Sequence, residues 1–84
     1  MRSMSKISQS AVLVVIEKAL ELDAGSILEN TNATTIEKWD SLGHLSILVA
    51  LDKLFDGQIA GIDEIAEANS VGKILALLRQ HSLL

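Results

Sequence analysis

The sequence predicts an all-α domain, a small irregular four-helix bundle, on three observations. Its 84 residues leave room for a single hydrophobic core. Nearly half of the residues are apolar, yet Trp39 and Phe55 are the only aromatic ones, so the core must be built of Ala, Leu, Ile and Val side chains of the kind that pack between helices. Apolar residues also recur three and four apart along three separate stretches, the spacing of one helix face. Residues 1–84 read as one domain with its core at about 5–81.

Composition narrows the function classes. The net charge is −4. No cluster of Lys and Arg is present, and no interleaved aromatics, so a nucleic-acid surface has little support. With no cysteine there is no disulfide, thiolate nucleophile or zinc-finger ligand set. The longest apolar run, Ala11 to Ile16, is too short to span a membrane. Met1-Arg2-Ser3-Met4-Ser5-Lys6 starts positively, but Glu17-Lys18 interrupt any signal-like apolar region. A soluble, cytoplasmic monomer with no membrane span is expected. A domain of this size has about 5 kcal/mol of stability, which weighs against a deep, strained enzyme pocket.

The first helix is expected from about Met4 to Leu22, with Ser3 or Ser5 as N-cap. Val12-Leu13-Val14-Val15-Ile16 alone would suit a buried strand. The periodic pattern continues through Glu17-Lys18-Ala19-Leu20-Glu21, however, and that length favours helix. Asp23-Ala24-Gly25 should end it, with Gly25 left-handed. From Ser26 to Asp40 the chain is polar and rich in Asn and Thr, which favour turns by bonding to their own backbone. Ile27, Leu28 and Ile36 should pin this loop to the bundle, and a loop so long implies a use or a short helix of its own.

The second helix should run from Ser41 to near Asp56, about 24 Å. Leu42, Leu45, Leu48, Val49, Leu51, Leu54 and Phe55 make it the most apolar of all and the expected spine of the core, with Gly57 ending it. Gln58 to Gly61 form a connector anchored by Ile59. Ile62 to Glu67 read as one or two helical turns with Ile62, Ile65 and Ala66 on one face. Asn69-Ser70 should cap a last helix from Val71 to about Gln80, with Val71, Ile74, Leu75, Leu77 and Leu78 buried and a frayed tail from His81.

The chemistry points to Ser41. A helix N-terminus offers unpaired N–H groups and a partial positive charge, so a serine there can carry a phosphate ester with little electrostatic strain. The plain alternative is a serine that only caps its helix. Neither His44 nor His81 stands in a recognisable triad order with a carboxylate. Asp40-Ser41-Leu42, followed by an apolar helix ending Leu51-Asp52-Lys53-Leu54-Phe55, resembles the attachment motif of acyl carrier proteins. The likeness spans nearly the whole chain: first helix, long loop, Ile59, short acidic third helix, and Ser70-Val71 opening the fourth.

The resemblance implies an acyl-carrier-like bundle that is not itself an enzyme. Ser41, between Asp40 and Leu42, would bear 4′-phosphopantetheine transferred from coenzyme A by a phosphopantetheinyl transferase. The arm's thiol would hold acyl intermediates of lipid, fatty-acid, polyketide or other specialised biosynthesis for acyl-loading and acyl-processing enzymes. Leu45, Leu48, Val49, Ile59, Ile62 and Ile65 are the candidates for a cargo pocket, and each could equally be an ordinary core residue. An aminoacyl or peptidyl carrier uses the same arm and fold. From other classes, an unmodified helical interaction module and a small hydrolase using Ser41 remain as rivals.

Some positions depart from the family pattern. Gly43 and Ser46 stand where many members have Asp or Glu, and Lys53 adds a positive charge, so the acidic docking face looks thinned and displaced toward Glu37, Asp40, Asp52, Asp56, Asp63, Glu64 and Glu67. Gly43 could permit close approach of a partner. Trp39 is expected to plug one end of the bundle, and His44, one turn beyond Ser41, to be an exposed surface histidine.

Overall fold

Three α-helices carry the fold of residues 7–84, which the computed structural model describes: α1 (Gln9–Ala19), α2 (Ser41–Leu54) and α3 (Val71–Gln80). Short 3-10 turns at Ala33–Thr35, Gln58–Gly61 and Asp63–Glu67 complete the set. Among the described residues there is no strand, and the all-α expectation holds at that level. No helix among them is long and apolar enough to cross a membrane.

The expected start of α1 at Met4 and its expected caps, Ser3 and Ser5, lie outside the described residues. Within them α1 begins at Gln9, and the Ser8 hydroxyl accepts the Ala11 N–H at 3.1 Å. The helix buries Val12 and Ile16 and packs on α2. It ends at Ala19, well before Gly25, because Glu21 takes up the left-handed conformation (φ 58°). The Leu22 N–H then reaches back to the Glu17 carbonyl at 2.8 Å and the Glu21 N–H to that of Lys18 at 3.1 Å, which is a Schellman closure. Asp56 (φ 58°) and Ser82 (φ 61°) close α2 and α3 in the same way, so Gly57 follows the end of α2 and does not make it. A side chain at φ > 0 costs about 1–2 kcal/mol, partly offset by the extra unfolded-state freedom of glycine. Glu21→Gly should therefore stabilise the domain by about 0.5 kcal/mol, read as a raised urea midpoint at unchanged slope.

Glu17 is buried although its side chain ends in a carboxyl group. Its Oε2 accepts the N–H groups of Gly25 at 2.9 Å and Ile27 at 3.0 Å, folding the loop back over α1 and delivering Ile27 to the core. Glu17→Ala leaves two amides without acceptors, one of them buried, and should cost about 2 kcal/mol. Glu17→Gln keeps one oxygen for them and should cost clearly less; equal melting of the two variants would contradict this role.

Of the three expected loop anchors, Ile27 is buried and Ile36 half-buried, but Leu28 is 57% exposed. The loop is held further along instead. Ala33 N–H bonds to the Asn69 carbonyl at 2.8 Å and Val71 N–H to that of Thr31 at 2.9 Å, an isolated antiparallel bridge between Asn32 and Ser70. Asn32 also caps the Ala33–Thr35 turn through the Thr34 N–H at 3.0 Å, so the loop does contain a short helix of its own.

The second helix is not the fully buried spine its composition suggests. Ile47 and Leu51 are buried with Phe55 at its cap, while Leu48 and Leu54 are half-buried. Leu42, Leu45 and Val49 are 75%, 56% and 50% exposed. Its apolar residues exceed one face, whereas its neighbours, α1 and the two turns after it, lie only on part of its circumference.

The expected third helix is a run of 3-10 turns. Ile62 N–H bonds to the Ile59 carbonyl at 2.9 Å, Ile65 to Ile62 at 3.2 Å, and Ala68 to Ile65 at 3.2 Å. With three residues per turn, Ile59, Ile62, Ile65 and Ala68 form the buried row, and Ala66 faces solvent. The last helix has the expected bounds, capped by Ser70 through the Lys73 N–H at 3.1 Å; of its expected stripe only Leu77 is half-buried and not buried. The tail is not frayed: the Leu83 N–H bonds to the Leu78 carbonyl at 2.8 Å, and Leu83 and Leu84, partly buried, pack against the core.

Candidate functional site

Ser41 is the first residue of α2, not its cap. Asp40 is the cap: its backbone is extended (φ −98°, ψ −164°), and its Oδ1 accepts the Gly43 N–H at 2.8 Å. The Asp40 carbonyl takes the His44 N–H at 2.8 Å. The N–H groups of Ser41 and Leu42 have no acceptor among the described residues, and neither does the Ser41 hydroxyl have a partner. The site is therefore an exposed hydroxyl beside two free amides at the positive end of a 14-residue helix.

This helix start is fixed from beneath. Trp39 N–H bonds to the Ile36 carbonyl at 3.0 Å, closing a turn at residues 37 and 38. Lys38 Nζ donates to the Glu21 carbonyl at the end of α1 at 3.2 Å, and the Lys38 carbonyl lies against the Cα of Gly43. A Cβ at Gly43 would stand 2.0 Å from that oxygen and 2.9 Å from Leu20 Cδ2. The close approach that Gly43 permits is thus by the chain's own backbone.

Trp39 is buried, as a plug should be, and its indole N–H donates to His44 Nδ1 at 3.0 Å. His44 is half-buried, contrary to the exposed histidine expected, and its Nε2 lies 2.9 Å from the Ile65 carbonyl. With both ring nitrogens committed, neither is free to take a proton from Ser41.

Five of the six cargo-pocket candidates meet. Leu48 and Val49 of α2 face Ile59, Ile62 and Ile65 across a cavity of about 420 Å³, within the range of small-molecule sites. Leu45 is not among its walls; it faces solvent. Asp52, Lys53, Ala60, Asp63 and Ala66 complete the lining. Asp52 and Lys53 could have been found from sequence, since they follow Leu48 and Val49 by one helical turn. Asp52 Oδ1 also accepts the Ala60 N–H at 3.3 Å, tying the Gln58–Gly61 turn to α2.

Ser41 does not line this cavity. Together with Asp40, Trp39 and His44 it borders a second groove of about 440 Å³, closed on the other side by Ala66 to Asn69 and by Ala33. Ala66 is a wall of both. Nothing in local sequence announces that groove, because Ala66 to Asn69 lie more than 20 residues from the Trp39–His44 side. The chain matches no family model, no curated protein and no solved structure.

Proposed function

We propose that the protein is an acyl carrier with the bundle arrangement of the acyl carrier family, modified at Ser41 by 4′-phosphopantetheine. The observation that carries this reading is the Ser41 hydroxyl itself. It is exposed and, among the described residues, has no partner, Asp40 having taken the capping role, and it stands beside the N–H groups of Ser41 and Leu42, which have no acceptor among those residues either. These groups suit a phosphodiester, whose negative charge a helix N-terminus favours. When bound, the arm supplies a thiol that holds an acyl group as a thioester.

The chain's own residues then have separate tasks. Ser41 holds the arm and Asp40 fixes the helix start. Leu48, Val49, Ile59, Ile62 and Ile65 offer an apolar shelter for an acyl chain. Leu42, Leu45 and Val49, spaced three and four apart along α2, make an exposed apolar stripe beginning next to Ser41, the kind of patch that marks protein contacts. It supports docking of the transferase and of acyl-loading enzymes, in which the thinned acidic face has a smaller part. An unmodified interaction module would present the same stripe, and an aminoacyl or peptidyl carrier the same tether.

The test is intact-mass analysis after incubation with coenzyme A and a broad-specificity phosphopantetheinyl transferase. One pantetheinyl mass is expected, mapped by peptide fragmentation to Ser41. A wild-type chain that gains none removes the carrier reading and leaves the interaction module. Supplying candidate acyl- and aminoacyl-loading enzymes to the modified chain then identifies the cargo class.

A further inference from the structure

We propose that His44 is the latch of the apolar cavity, a positioning residue that ties the Asp63–Glu67 turn to the beginning of α2 and so sets how far that turn can move away from α2 and widen this open cavity. The indole N–H of Trp39 can only donate, so His44 Nδ1 must offer its lone pair. The single remaining ring proton then sits on Nε2 and is donated to the Ile65 carbonyl. Trp39 thereby selects the one tautomer that can hold Ile65. Trp39 is buried and this bond is part-buried, so leaving its N–H unpaired carries a cost.

Beyond the burial of Ile62, Ile65 and Ala68 in the core, the turn has few polar ties to keep it in place. Its backbone bonds are of the i to i−3 kind, whose geometry is poorer than that of an α-helix. Among the described residues, His44 to Ile65 is the only side-chain hydrogen bond between this turn and α2. The preceding turn has its own tie, Asp52 to Ala60. Ile65 accepts twice, from His44 and from the Ala68 N–H, and its side chain walls the cavity. Moving Ile65 away from α2 therefore breaks the histidine bond first.

The latch also stands on the route into the cavity. Ser41 and His44 border the second groove, and Ala66, next to Ile65, is the wall shared by both spaces. A group tethered at Ser41 reaches the cavity past Ala66, beside the latched carbonyl. What the latch admits rests on the carrier reading; that it closes the turn does not.

The test uses the unmodified full chain. Nitrogen-15 NMR of the His44 ring should report one neutral tautomer with the proton on Nε2. In His44→Phe, amide exchange at Ile65 and Ala68 should accelerate about tenfold, the effect of one lost hydrogen bond to a partly buried group, with Ile74 and Leu78 essentially unchanged. His44→Gln, whose amide can still donate to Ile65, should restore part of the protection. Trp39→Phe, which keeps a buried ring without the donor, leaves the Ile65 carbonyl alone to hold the proton on Nε2; amide exchange at Ile65 and Ala68 should still rise in it, and that is the readout should His44→Phe not fold. A proton on Nδ1 in the parent, unchanged exchange at residues 65 and 68, or uniform acceleration through α1 and α3 each overturns the latch. If the arm is accepted while exchange is unaltered, the latch falls and the carrier stands; accelerated exchange in a chain that takes no arm gives the reverse.

Discussion

Ser41→Ala is expected to abolish pantetheinyl loading completely while leaving the melting temperature nearly unchanged. The two halves of that expectation come from the same geometry. Loading needs an oxygen nucleophile at this position, and alanine has none. Stability does not need it, because the hydroxyl makes no hydrogen bond among the described residues and Asp40 performs the capping. An exposed substitution of this kind usually changes stability by less than about 0.5 kcal/mol.

Asp40→Ala separates the two roles from the other side. It removes the acceptor of the Gly43 N–H and should cost about 1 kcal/mol, which lowers the melting point of a domain of this size by roughly 4–8 °C. The hydroxyl remains, so pantetheinyl mass should still be gained. The discriminating data are intact mass and thermal melts of the two variants side by side. Mass gain by Ser41→Ala would move the tether to another hydroxyl. A melt several degrees lower in that variant would make Ser41 the structural cap and remove the observation on which the carrier reading rests.

The adjacency of Asp40 and Ser41 illustrates what a sequence leaves open. Both residue types cap helices, and local pattern places the helix start to within one residue without choosing between them. The choice is made by Asp40's extended backbone, which brings its carboxylate onto the Gly43 N–H. α3 was fully legible because one capping serine, Ser70, precedes a single narrow apolar stripe. Ile59, Ile62 and Ile65 were visible as apolar anchors, yet a helical period of 3.6 assigns Ala66 to the buried face where the 3-10 period of 3.0 assigns Ala68. Tertiary pairing decides that, not composition. His44 was the least legible residue of all, since one of its two partners, Ile65, is 21 residues away. The buried role of Glu17 likewise depends on amides eight and ten residues downstream.

Gly43→Ala should be the most destabilising conservative substitution in the domain, and propensity alone predicts the opposite sign. Alanine is favoured over glycine inside a helix by up to about 1 kcal/mol. At residue 43 that gain meets the Lys38 carbonyl, 2.0 Å from the new Cβ. Carbon and oxygen do not normally approach within about 3.3 Å, so more than an ångström of backbone movement is required. Leu20 can rotate away; the Lys38 backbone is less free, because the Trp39 N–H ties its turn to Ile36. Overpacking of this kind costs about 1–3 kcal/mol even where side chains can yield; here a net loss near the upper end is expected, on the order of 10 °C or more in melting temperature. Gly72→Ala is the matched control, since its new Cβ would meet nothing closer than 3.8 Å, and it should be neutral or slightly stabilising. Opposite signs at two helical glycines would establish that the approach of Lys38 fixes where α2 begins, and hence where the Ser41 hydroxyl stands. Equal melts for the two variants would mean that the helix start is held by the Asp40 cap alone.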